Sequence, residues 1–174
     1  MSLSTRAAEL DWLRSVMQRY ERPLVSFAAH ITGSLELARE VVQDTFERLC
    51  AADLAQIEPR QAAWLFRVCR NRALDVSKKE GRMRQMDNKQ IEVQGSAASS
   101  PAAVAEARQQ LGQVAQVLAS LPESQQEVVR LKIQADLSYR EISEVTGHTV
   151  SNVGVLLHTA LTTIRQRLAE GRAS

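Results

Sequence analysis

Between Arg60 and Lys78 the chain sorts its residues onto two sides of one cylinder. Wound at about 100° per residue, Arg60, Trp64, Arg67, Asn71 and Lys78 share a stripe, with Arg70 at its edge. Ala62, Leu65, Phe66, Cys69, Ala73 and Val76 fall on the other side. A strand would scatter both sets, because its side chains alternate every second residue. The segment is therefore read as a helix whose apolar back must be covered by other elements.

The front of that helix suits nucleic acid. Lys and Arg neutralise phosphate, an amide can bond a base edge, and a base can stack on an indole. A solvated cationic face is the plain alternative. Local charge favours the first reading. From Arg60 to Arg84 there are eight Lys or Arg against two acids, Asp75 and Glu80, whereas the whole chain is only +2. A basic patch confined to one segment is the electrostatic footprint of a DNA or RNA binder.

At 174 residues the chain is long enough for one medium domain or two small ones. Leu, Ala, Glu, Gln and Arg dominate, and Gly and Pro are few, so helix is favoured nearly everywhere. Cys50 and Cys69 lie in helical patterns beside apolar neighbours and read as buried free thiols. With His30, His148 and His158 they give no metal-ligand spacing. There is no Gly-rich phosphate loop, nucleophile motif or carboxylate pair. No catalytic residue, metal or cofactor is expected, and the chain is not read as an enzyme. The start has no apolar core for a signal peptide, and no stretch reads as a membrane span. The expected compartment is the cytoplasm, with no membrane partner.

The expected architecture is all-α, with two helical domains on a flexible linker. A first helix is read from about Ala7 to Arg19, with Leu10, Leu13, Val16 and Met17 at helical spacing. Pro23 is read as opening a second, with Leu24, Phe27, Ala28 and Ile31 inward, ending at Gly33. Ser34 caps a third, to about Ala51. Ala52 to Pro59 reads as a loop, and the basic helix follows. Small polar residues from Met86 to Pro101 read as linker. The expected domains are 1–86 and 102–174, with 87–101 between them. The second domain resumes with Leu111, Val114, Ala115, Leu118 and Leu121 on one face, then Val128, Val129, Leu131 and Ile133 beyond Pro122.

Ser138-Tyr139-Arg140-Glu141 fits a capping box, with Ile142 and Val145 inward on the short helix it starts. Gly147 breaks that helix, and Thr149 or Ser151 caps a longer one to about Ala169. Short helix, glycine turn and longer helix make a helix-turn-helix plan, whose second helix can enter a major groove. Candidate DNA contacts are Arg140, Ser151, Asn152, Val155, His158, Thr159 and Arg165, with Arg167 a further phosphate contact. From Glu123 onward acids and bases balance six to six, so weak binding is expected from this module alone.

Taken in order, four motifs resemble the extracytoplasmic-function sigma factors of the bacterial sigma-70 family. They are Val41-Val42-Gln43-Asp44-Thr45-Phe46, the run from Trp64 through Arg70-Asn71 to Asp75, Leu121-Pro122, and Leu137 to Ile142. The resemblance covers nearly the whole chain. It implies a subunit that binds core RNA polymerase, recruits it to promoter DNA and helps open the duplex. By that resemblance Arg39, Glu40, Gln43, Asp44, Phe46 and Glu47 meet the clamp helices of the polymerase. Arg60, Trp64, Arg67, Arg70, Asn71 and Lys78 would take the minus-ten element, with one base flipped from the stack. The helix-turn-helix would read the minus-thirty-five element. An anti-sigma factor or a Ser/Thr kinase is an expected further partner.

One stretch departs from the family. Where its members carry Asp-Ala-Glu-Asp, this chain has Leu37-Ala38-Arg39-Glu40. Loss of acid and gain of a base would weaken docking on a basic clamp. Phosphorylation of Thr45 or Thr32 would restore negative charge there; a co-adapted polymerase surface is the alternative. Two other readings stay open: a stand-alone helix-turn-helix regulator, and an adapter that has lost DNA binding.

Overall fold

Among the described residues, glycines at positive φ and side-chain caps punctuate the chain, and nearly everything between them is helix. The computed structural model describes residues 3–87 and 112–170, with side chains described for 7–81 and 112–170. No strand occurs among the described residues. The chain divides into two compact units.

In the first unit, α1 (Leu3–Thr32), α2 (Leu35–Cys50) and α4 (Gln61–Asp87) pack on one another in all three pairings. Val16, Tyr20, Leu24, Phe27 and Ala28 give α1 a buried stripe at spacings of three and four. That stripe runs straight past Pro23, so the expected second helix is the continuation of the first. An interior proline forfeits one backbone bond and crowds the preceding turn. Continuous burial on both sides outweighs that local cost, and the helix ends only at Gly33, with φ +69°. Ser34 then caps α2, its side chain accepting from the Leu37 amide at 3.4 Å.

The stretch expected to be a loop contains a turn of helix. Asp53 caps α3 (Leu54–Ile57) through the Ala55 amide, and Gln56 donates to its other carboxylate oxygen at 2.8 Å. Glu58–Arg60 continues as a 3-10 turn with Pro59 near its start, and Ile57 is buried at 4 % exposure. Leu10 is 51 % exposed, so the apolar face of α1 begins later than its spacing suggests. Cys50 is exposed on the last turn of α2, which corrects its reading as a buried thiol.

In the second unit, residues 112–119 form α5, followed by α6 (Glu123–Ala135), α7 (Tyr139–Thr146) and α8 (Val150–Glu170). The last three share a core of Val128, Leu131, Leu137, Ile142, Val153 and Leu157. Gln126 stitches α6 to the chain before it, donating to the Ala119 and Leu121 carbonyls at 3.1 and 2.8 Å. Val114 and Ile133 are 40 % and 70 % exposed, so neither joins the core their spacing suggested. Ala115 is exposed as well. The expected linker begins at residue 87, but Asp87 is the last residue of α4. The rest of it, 88–101, and the start of the second domain, 102–111, lie outside the described residues.

The capping box forms in full. The Ser138 hydroxyl accepts from the Glu141 amide, and the Glu141 carboxylate accepts from the Ser138 amide at 2.8 Å. Ser138→Ala should cost about 1 kcal/mol. Thermal unfolding should show the midpoint of the C-terminal unit falling by about 4–8 °C; an unchanged midpoint would remove the cap from the list of what holds α7.

Candidate nucleic-acid interface

α4 has the two sides expected of it. Leu65, Phe66, Cys69 and Ala73 are fully buried. Phe66 meets Phe27 of α1 edge to face, ring centroids 5.3 Å apart at 70°, a favourable aromatic geometry that locks the back of α4 to α1. Ala63 joins this buried side at 3 % exposure, while Ala62 is only half-buried, so the face is rotated slightly from the expected one. Burial pushes the Cys69 thiol from 9.0 up to about 12, against a smaller opposing pull from its hydrogen bond with Thr45. The thiol stays protonated and inert at neutral pH.

The outer side carries Arg67, Asn71 and Lys78 exposed, with Trp64 and Arg70 half-buried among them. Arg60 is exposed on the 3-10 turn that feeds the helix. From Trp64 to Lys78 this row is about 21 Å long. Asp75 is exposed on its flank. Arg72 points elsewhere: its Nε donates to Asp44 of α2 at 2.5 Å, with both side chains about two-fifths exposed. One of the basic residues counted in the sequence thus braces two helices instead of facing outward.

That pair also divides the six residues assigned to polymerase. Arg39, Gln43, Phe46 and Glu47 line a groove of about 580 Å³ between α1 and α2, together with Met17, Glu21, Val25, Val42 and Cys50. Gln43 donates to Glu47 across one turn at 3.0 Å. Asp44 is committed to Arg72, and Glu40 is exposed without lining the groove. Nothing in the sequence pairs Asp44 with Arg72, which lie 28 positions apart.

The two threonines offered for phosphorylation are buried. Thr45 is 0 % exposed and its hydroxyl donates to the Val41 carbonyl at 2.8 Å. Thr32 is 6 % exposed and donates to the Ala28 and Ser34 carbonyls. A phosphoryl group on either oxygen would place up to two charges in an apolar interior, so the folded chain offers no modification site at Thr45 or Thr32. Their fit to the helical period conceals this, because Thr packs like Val when its hydroxyl returns to the preceding turn.

In the second unit the turn between α7 and α8 is built as its spacing suggests. Gly147 has φ +80°, a conformation most side chains resist. Thr149, not Ser151, caps α8, its hydroxyl oxygen accepting from the Asn152 amide at 3.2 Å. Val153, Leu157 and Ala160 face the core. Ser151, Asn152, Val155, His158, Thr159 and Arg165 are exposed on α8. Arg140 is exposed on α7 with its guanidinium 3.8 Å from Glu144, too long for a strong pair. Arg167 bonds Ser120 and is thereby tied to its own unit. Among the described residues no group of His, Cys, Asp and Glu could hold a metal, and no helix is long and apolar enough to cross a membrane.

Comparison with known proteins matches both units. The family model for Sigma-70 region 2 covers residues 16–83, and that for Sigma-70, region 4 covers residues 111–164. The chain is similar to the ECF RNA polymerase sigma factor SigM of Bacillus subtilis, 27 % identical over 158 residues, spanning 88 % of this chain and 90 % of the relative. The sigma factor RpoE of Cereibacter sphaeroides is 25 % identical over 154 residues, 82 % of each chain. Among solved structures, the sigma factor RpoE from Bartonella quintana, crystallised with the anti-sigma factor NepR, superposes with a TM-score of 0.61. That match is 23 % identical, covers 91 % of this chain and 97 % of the other, and speaks for the fold.

Proposed function

The chain belongs to the sigma-70 family as an extracytoplasmic-function sigma factor of RNA polymerase, and from that premise we propose how its parts divide promoter recognition. The outer row of α4 takes the opened minus-ten strand. Trp64 stacks a base, Arg67, Lys78 and Arg60 neutralise phosphates, and Asn71 with Arg70 bonds the extruded base. The observation that carries this is the outward row itself, held in place by the Phe66 and Phe27 contact behind it.

The α1–α2 groove, with Arg39, Gln43, Phe46 and Glu47 on its α2 side, is the proposed seat of the polymerase clamp. α8 enters the major groove of the minus-thirty-five element, offering Ser151, Asn152, Val155, His158 and Thr159 to bases, with Arg140 and Arg165 near phosphate. The outer face of α8 has no Lys or Arg before Arg165, which argues against tight operator binding by this module alone. Two weak DNA contacts held on one polymerase gain from effective concentration instead.

The chain supplies binding and orientation, and the bond chemistry belongs to the polymerase. A regulatory protein that covers one of these surfaces is the expected mode of control, as the complex of the Bartonella relative suggests. With Thr45 and Thr32 buried, control by phosphorylation at those two positions is not expected. The cytoplasm is the expected place of action.

Run-off transcription with purified core enzyme tests the whole reading. A template library carrying randomised upstream sequence should yield specific transcripts only when this chain is added. Absence of any transcript, with core enzyme shown active by another factor, would end it.

A further inference from the structure

Five of the exposed side chains on α8 that precede Arg165 form the surface through which a major groove would be read: Ser151, Asn152, Val155, His158 and Thr159. Four are polar. The fifth, Val155, is apolar and 62 % exposed. It sits between Ser151 and Thr159 at spacings of four and between Asn152 and His158 at spacings of three, so the polar residues surround it. The core is served by Val153, Leu157 and Ala160, so packing does not require an apolar residue at 155. Lone exposed apolar residues are ordinary on a protein surface. The centre of a groove-reading face is not an ordinary position, because there each side chain meets a base edge.

In the major groove only thymine presents a methyl group, and apolar side chains meet it. These five residues include no Arg or Lys for a bidentate contact to guanine and no Asp or Glu for the cytosine amine. They do include Asn152, the side-chain type that bonds adenine bidentately. Recognition-helix residues three apart can address successive base pairs, which places the bases met by Asn152 and Val155 next to each other.

We propose that Val155 packs against the C5-methyl of a thymine in the upstream promoter element and makes the factor selective for a T·A pair there. This rests on the reading of α8 as the helix that enters the minus-thirty-five groove.

The test uses the factor assembled with core polymerase. The upstream element is first selected from a randomised promoter library. Each thymine in it is then replaced singly by deoxyuridine, which removes the methyl and leaves every hydrogen-bonding group. At one position the wild-type complex should weaken about fourfold, the effect of about one buried carbon. Val155→Ala should bind the thymine and uracil promoters equally at that position, while its response to changes elsewhere stays as in wild type. Being exposed, it should melt with the wild type.

The proposal falls if the selected element fixes no thymine, if no uracil substitution is felt, or if Val155→Ala keeps the same loss. In those outcomes promoter complexes still form, and only the role of Val155 is lost. If no library member is bound by the assembled enzyme, the sigma-factor reading fails and takes this proposal with it.

Discussion

Thr45→Glu should lower the thermal midpoint of the N-terminal unit by about 12–24 °C, corresponding to about 3 kcal/mol of stability. Thr45 is fully enclosed among α2 and its neighbours, its hydroxyl satisfied by Val41 and in contact with the Cys69 thiol. A longer, ionisable side chain there must either displace packed groups or strip water from a carboxylate. Burial would raise the folded pKa of that new carboxyl above its unfolded value of about 4.3. A raised folded pKa means stability present at low pH and lost as pH rises through it. The deficit relative to wild type should therefore shrink as the pH falls toward about 4.

The substitution that looks like a phosphate mimic should thus weaken polymerase capture by destabilising the N-terminal unit, and circular dichroism would separate that from altered docking. Thr45→Ser, which keeps the hydroxyl, should retain most of the stability. A cooperatively folded Thr45→Glu protein with enhanced capture would overturn the burial argument.

The second large effect belongs to Trp64. Its loss should reduce formation of the opened promoter complex by about 5- to 150-fold, the range expected for one base stacked on an aromatic side chain. Trp64→Phe should recover part of it. Arg67→Ala, at an exposed position, should leave thermal stability unchanged and lower the salt slope of promoter binding by about one. The two substitutions address different chemistry, so their signatures should differ: stacking is insensitive to salt, and phosphate neutralisation is not. If Trp64→Ala forms open complexes at the wild-type rate, the opened strand does not run along α4.

Much of this was legible because the relevant cues are local. The Ser34 cap, the Ser138 and Glu141 box, the Gly147 turn and the buried back of α4 each follow from residues within a few positions of one another. What escaped depended on residues distant in sequence. Pro23 signals a helix start until Val16, Tyr20, Leu24 and Phe27 are seen to share one wall, whose burial outweighs the missing bond. Periodicity cannot tell which end of an apolar stripe is covered, and Leu10 and Val114 fit the helical period yet stay exposed. The same blindness applied to Cys50 and to the two threonines, whose packing decides whether any chemistry can reach them. Arg72 is the sharpest case: its charge counted toward DNA, and its partner lies in the helix assigned to polymerase.

That Asp44–Arg72 brace carries a consequence for how such factors diversify. A duplicated copy can acquire new promoters by changing outward side chains on α4 or α8, one at a time, without disturbing its interior. Changing position 44 to suit a different polymerase is another matter, since the partner it deserts stands on the helix that handles DNA. Lineages should therefore alter 44 and 72 together, and a hybrid that inherits α2 from one parent and α4 from another should grip its template less firmly than either.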